Sequence, residues 1–183
     1  MSTVPRTELA PGYSISRMLK GGWQLAGGHG GIDRAAAIAD MSAYYQAGIT
    51  TFDCADIYTG VEELIGEFRR EHRARHGADS LAQLRVHTKF VPDLALLPSI
   101  DKQQVEQTID RSLRRLGVER LDLVQFHWWD YRVPRYVEVA HWLAELQRAG
   151  KIELLGGTNF DTCLLYTSPS PRDLSTSRMP SSA

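Results

Sequence analysis

Asp53, Lys89, His127 and Asn159 each stand at the end of a short apolar run, over residues 49–52, 84–88, 121–126 and 154–158 respectively. Tyr58 lies in the segment just after Asp53. A carboxylate, an ammonium, an imidazole and a phenol can together hold and move a proton, and a side-chain amide can orient a polar ligand. Groups so far apart in the chain act together only if the fold gathers them. Short buried strands alternating with amphipathic helices, with functional residues at the strands' carboxyl ends, do this in a parallel barrel. The pattern points to an enzyme.

The elements needed to position these groups are legible in turn. A first strand is expected over 15–24, followed by the Gly-rich loop 27–31 and a helix opened by Asp33 as N-cap and ended by Gly48. A second strand covers 49–52. A helix over 61–75 places Leu64, Ile65 and Phe68 at helical spacing, with Gly77 beyond its end. The third strand is 84–89. Residues 101–116 carry Val105, Ile109, Leu113 and Leu116 on one face and form the clearest helix. The fourth strand is 121–127, and Pro134 suits the first turn of a helix running to about Ala149. A fifth strand covers 153–157. The fold class is therefore α/β, a (β/α)8 TIM barrel of which only about the first five units are present, since closure takes about eight strands.

Composition narrows the class of function. The chain has 183 residues, 43% of them hydrophobic, and a formal charge of -1, so no basic field is available to hold nucleic acid. No stretch approaches the roughly 18–20 apolar residues that cross a bilayer, and the first residues lack a leader pattern. Cys54 and Cys163 are too few for a disulfide framework. A soluble protein of a reducing compartment, the cytoplasm, is the expectation.

The last segment breaks the pattern. From Cys163 onward apolar periodicity is lost and Ser, Pro and Thr dominate, although a helix has only begun near residues 160–162. Residues 163–173 and 177–183 resemble the translation of a transposase-type sequencing adaptor. The expected organisation is an N-terminal extension over 1–15, a partial barrel over 16–162, and a non-native, disordered tail over 163–183. Cys54 is then the one native cysteine.

Several segments carry a family resemblance. Gly48 through Asp53 and on to Tyr58, the strand end His87-Thr88-Lys89-Phe90, the run Leu121 to His127, and Gly156-Gly157-Thr158-Asn159-Phe160 resemble the aldo-keto reductase superfamily over residues 16–162. The resemblance implies a barrel oxidoreductase that interconverts a carbonyl and an alcohol with a nicotinamide cofactor, usually NADPH, with NADH also open. Its partner is a small carbonyl substrate, and the resemblance leaves the oligomeric state open. Asp53, Tyr58, Lys89 and His127 match the family's catalytic tetrad. Asp53, Thr158 and Asn159 match cofactor-binding positions, with Thr158 standing where Ser is more common in the family.

The chemistry so implied follows from the side chains. Hydride arriving at a carbonyl carbon leaves negative charge on oxygen, which calls for a proton donor and a stabilising field. Tyr58 is the donor, Lys89 the neighbouring cation, and Asp53 the carboxylate that fixes the ammonium in a partly buried pocket. His127 orients the carbonyl. Trp23, and Trp128 or Trp129 just after His127, are expected at the barrel mouth as walls of an apolar substrate pocket, with ordinary packing as the even alternative. An alternative is a cofactor-binding regulatory subunit that keeps the barrel with little or no turnover.

Duller readings stand beside these. Lys89 could be a solvated rim residue, His127 a satisfied core histidine, and Asp53 a cap for the next turn. None of them explains why all three end successive strands. His72 and His76 have i,i+4 spacing but lie among Arg69, Arg70, Arg73 and Arg75, so a solvated basic face is expected rather than a metal site. The loop 27–31 follows a strand and precedes a helix, yet Gly28-His29-Gly30 lacks the third glycine of a dinucleotide fingerprint. It is expected to be a flexible lip over the barrel mouth.

Overall fold

The computed structural model describes residues 4–26 and 30–160. The tail at 163–183, Cys163 and residues 27–29 of the Gly-rich loop lie outside the described residues.

The chain opens with an antiparallel hairpin, β1 (Arg6–Ala10) and β2 (Tyr13–Ser16). Sequence reasoning expected an extension here, and its first strand at 15–24 merges the end of this hairpin with the next strand. Period-two alternation explains β2: Tyr13 and Ile15 turn inward and are buried. The hairpin is pinned under the main sheet. The Ser16 amide donates to Thr51 Oγ1 at 3.0 Å, the Thr50 and Thr51 amides both donate to Ser16 Oγ at 3.1 Å, and Arg6 donates to Thr50 Oγ1 at 2.6 Å. Tyr13 stacks on His87 with ring centres 6.0 Å apart.

Five parallel strands follow: β3 (Leu19–Gly21), β4 (Thr51–Asp53), β5 (Arg85–Phe90), β6 (Leu121–His127) and β7 (Ile152–Thr158). They pair in chain order, β3-β4-β5-β6-β7, with no reversal. A doubly wound dinucleotide-binding sheet requires a point where strand order reverses, so the sheet argues against that arrangement as the glycine spacing did. In β6, Leu121, Leu123, Val124 and Phe126 are all buried, as expected of a parallel strand covered on both faces.

Four helices connect the strands: α1 (Arg34–Gln46), α2 (Val61–His76), α3 (Lys102–Leu116) and α4 (Tyr136–Arg148). Asp33 caps α1 by accepting from the Ala36 amide. Asp101 and Gln104 cap α3 reciprocally, at 2.8 and 2.9 Å, and Gly117 ends it in the left-handed region at φ 65°. α4 begins after Pro134 rather than at it, because residues 130–133 first close a turn through the Val133 amide and the Asp130 carbonyl at 3.0 Å. The core lies between helices and sheet, with Phe52, Phe68, Phe90, Ile109, Val124 and Leu143 at its centre. α2 and α3 approach closely at Gly66, where a Cβ would sit 2.1 Å from the Arg115 carbonyl oxygen.

Candidate active site

Because the five strands are parallel, their carboxyl ends share one rim. Asp53 is the last residue of β4, Lys89 the next to last of β5, His127 the last of β6 and Thr158 the last of β7. Tyr58 stands in the loop 54–60 that leads from β4 into α2.

Three of these side chains meet. Lys89 Nζ donates to both carboxylate oxygens of Asp53 at 2.8 Å and to the Cys54 carbonyl at 2.9 Å. All three ammonium protons thus have acceptors. The same nitrogen lies 5.3 Å from the centre of the Tyr58 ring, and Trp23 packs edge-on against that ring at 5.0 Å. The lysine and aspartate side chains are 16% and 29% exposed, so the pair is screened from bulk water yet open to a ligand.

His127 is positioned differently. Lys89 is in register with Gln125, so His127 stands two residues further toward the rim on the same face of the sheet, beside Thr158. No hydrogen bond joins it to Asp53, Tyr58 or Lys89 among the described residues. Burial pushes its imidazole below the ordinary histidine range, so it is neutral at pH 7. Its Nδ1 is buried without a hydrogen-bond partner, and its ring packs 4.3 Å from Trp129. Asn159, directly after β7, has a left-handed backbone at φ 59°, and its carbonyl accepts from the Tyr131 hydroxyl.

The three tryptophans separate. Trp23 and Trp129 are half exposed near the mouth, and Trp129 donates to the Pro92 carbonyl at 2.8 Å. Trp128 is a correction to the sequence reading. It is 1% exposed, packed against Phe126 and Tyr136, with its indole N–H shared between the Asp130 and Val133 carbonyls. Adjacent residues after a strand point to opposite sides, so only one of the pair reaches the mouth. His72 is a second correction: it is buried, with Phe68, Tyr45 and His76 around it, and burial pushes its imidazole down. Among the described residues no group of three or more His, Cys, Asp or Glu could hold a metal.

Sequence reasoning missed a second tier behind the rim. Asp56 and Glu62 are buried carboxylates flanking Tyr58, and no local signal sets Glu62 apart from the adjacent Glu63 in the sequence. Burial, reinforced by Glu62, pushes the Asp56 carboxyl up to about 7. Burial likewise lowers His87 to about 4 and raises the Cys54 thiol far above its ordinary range, leaving that thiol protonated and unreactive. Beside the rim, a cleft of about 510 Å³ runs between Ile57, Phe90, Leu94, Arg111 and Trp129.

Five parallel strands joined by four helices, carrying a Lys–Asp pair under a tyrosine at their carboxyl rim, define a partial (β/α)8 barrel with an enzyme-type site. Comparison with known proteins gives the lineage: residues 17–168 match the model of the Aldo/keto reductase family, and the chain belongs to that family. The match runs beyond Thr162, where the sequence reading ended the barrel. Among curated relatives, aldo-keto reductase YhdN of Bacillus subtilis is 32% identical over 155 residues, covering 81% of this chain and 45% of its own length. The NADH-specific methylglyoxal reductase of Escherichia coli is 27% identical over 162 residues, covering 81% of this chain and 49% of its own. Of solved structures, a putative aldo-keto reductase from Pseudomonas aeruginosa superposes with a TM-score of 0.68 at 23% identity, covering 85% of this chain and 60% of that one. An aldo/keto reductase from Klebsiella pneumoniae, solved with NADP and acetate, gives 0.65 at 24% identity, with coverages of 81% and 47%. The chain spans about half the length of the curated relatives it matches. No helix among the described residues is long and apolar enough to cross a membrane.

Proposed function

We propose that these residues supply the catalytic rim of an NAD(P)H-dependent oxidoreductase that interconverts a small aldehyde or ketone with its alcohol. The activity belongs to a barrel closed by further β/α units, with residues 16–162 as its first part. One observation carries the reading: Lys89 is held by both oxygens of Asp53 and by the Cys54 carbonyl while facing the Tyr58 ring. A nicotinamide cofactor, NADPH by preference and NADH as the alternative, supplies the hydride when bound. Tyr58 then gives its proton to the carbonyl oxygen, and the positive charge of Lys89 stabilises the phenolate that remains. Asp53 keeps that ammonium charged and stationary. His127, at the rim beside Thr158 and with its imidazole pushed down by burial, orients the substrate oxygen.

The residues present fit the cofactor. Thr158 offers a hydroxyl and Asn159 an amide that both donates and accepts, the pairing a nicotinamide carboxamide requires, and the strained backbone of Asn159 is fixed by Tyr131. Trp23 and Trp129 would wall the substrate side. The buried free thiol of Cys54 fits a cytoplasmic setting.

The test is NADPH oxidation by the full-length protein with a panel of aldehydes and ketones. Tyr58→Phe and Lys89→Met should each lower kcat by about 100-fold or more while cofactor binding survives, within the range that general acid–base catalysis supplies. Tight cofactor binding without turnover of any carbonyl would instead favour a regulatory subunit.

A further inference from the structure

The backbone bonds of Tyr58 itself are local: its amide donates to Ala55 and its carbonyl accepts from Val61, each at 3.0 Å. What fixes the phenol relative to Lys89 is therefore the anchoring of the residues on either side. On the amino side, the Asp56 amide donates to the Lys89 carbonyl at 3.2 Å, and the Val91 amide donates to Asp56 Oδ1 at 3.1 Å. On the carboxyl side, Glu62 is 1% exposed and accepts from the Thr88 hydroxyl at 2.7 Å. Thr88 directly precedes Lys89, so this bond ties the first turn of α2 to the strand that carries the lysine.

One guanidinium joins the two sides. Arg115, in the last turn of α3, donates from Nη1 to the Asp56 carbonyl at 3.1 Å and to Glu62 Oε2 at 3.4 Å, and its Nε pairs with Glu63 at 2.7 Å. Its planar fork suits several acceptors at once in a way a lysine ammonium does not. The reach depends on Gly66, the contact point where α2 and α3 close on one another. Buried Glu62 needs a compensating cation, and among the described residues Arg115 pairs with it.

We infer that Arg115 is a positioning residue for Tyr58: by bridging the Asp56 carbonyl and the Glu62 carboxylate, it clamps both ends of the tyrosine loop and sets the phenol against Lys89. The inference rests on Tyr58 being the general acid. The bonds of Arg115 go to Asp56, Glu62 and Glu63 and not to the side chains of Tyr58, Lys89 or Asp53, so it acts through the loop.

The experiment compares Arg115→Met, Arg115→Lys and Glu62→Gln in the full-length protein with Tyr58→Phe and with the exposed neighbour Arg114→Met as reference. Readouts are kcat, KM, the pH profile of kcat, NADPH affinity by fluorescence quenching, and Tm. Arg115→Met should lower kcat by about 10- to 100-fold, the scale of a 1 Å misplacement in an active site. NADPH affinity should stay within about twofold, and the basic limb of the pH profile should move. Arg115→Lys should restore part of kcat, Glu62→Gln should cost less than Arg115→Met, and Arg114→Met should change nothing. If Tyr58→Phe abolishes turnover while Arg115→Met keeps wild-type kcat and pH profile, the positioning role is wrong and the function stands. If Tyr58→Phe is fully active, both fall. Should Arg115→Met not fold, unchanged kcat and pH profile in Arg115→Lys and Glu62→Gln overturn the role. A kcat loss that follows Tm and cofactor affinity in every variant would reduce Arg115 to a structural ion pair.

Discussion

Asp56, whose amide donates to the Lys89 carbonyl, and His87, in register with Asp53, respond to pH in opposite senses. The Asp56 carboxyl is pushed up to about 7 by burial first and Glu62 second, with Arg111 opposing from α3 and Arg115 nearby. An unfolded aspartate titrates near ~3.9, so between about pH 4 and 7 the folded state holds the extra proton. Stability from this group is present below about pH 4 and is lost as pH rises toward 7. His87, lowered to about 4 chiefly by burial, is the converse: its contribution is present above ~6.5 and lost as pH falls toward 4. A tenfold difference in proton affinity between the folded and unfolded states is worth at most about 1.4 kcal/mol. Asp56→Asn keeps an acceptor for the Val91 amide and removes the charge, so its gain over the parent in urea denaturation should grow from pH 4 to pH 7. A gain that does not vary with pH would show that the carboxyl titrates normally. His87→Gln should remove the acid-side loss, and an unchanged slope between pH 6.5 and 4 would contradict its assignment.

Helix contacts are where local rules and tertiary demands diverge. An alanine in place of a helical glycine is ordinarily favourable by about 1 kcal/mol, but at Gly66 the added Cβ would meet the Arg115 carbonyl oxygen at 2.1 Å. The obstacle is backbone on a packed helix, so Gly66→Ala should destabilise the full-length protein by about 2 kcal/mol or more and loosen the tyrosine loop with it. A Tm equal to the parent's would refute that packing. By contrast, removal of the α3 cap in Asp101→Ala should cost only about 1 kcal/mol. The same divergence decides what could be read from sequence. The bounds of α3 and β6 were legible because caps, periodicity and strand ends all agree locally. The β1–β2 hairpin was not, since five exposed or half-exposed residues in β1 give no apolar alternation. Of Trp128 and Trp129, sequence could not tell which turns inward once the strand had ended. His72 was hidden by its arginine neighbours, and the Arg115–Asp56 bond joins positions 59 residues apart, a contact only the folded chain creates.

At the scale of the whole molecule, the five-stranded sheet has two free edges among the described residues, β3 and β7. A closed barrel has none, and its strands are covered by helices outside and by one another inside. In β7 only Ile152 is buried, and most of the strand is half exposed, whereas β6, one strand inward, is buried along most of its length. Leu19 at the opposite edge is also exposed. Among the described residues β7 pairs with β6 alone and leads into Asn159, so the outer edge and the proposed cofactor contacts share one strand. An edge of this kind invites pairing with other chains. The 183-residue chain by itself is therefore expected to bind NADPH poorly, to turn over no carbonyl, and to lose its far-UV signal gradually on heating, with dye-accessible apolar surface before the transition. A full-length barrel carrying the same residues should melt cooperatively and recover both functions. A sharp two-state melt of the 183-residue chain, with calorimetric and van't Hoff enthalpies in agreement, would show that the five strands, their four helices and the hairpin plug form a self-sufficient fold, and closure would then matter for the site alone.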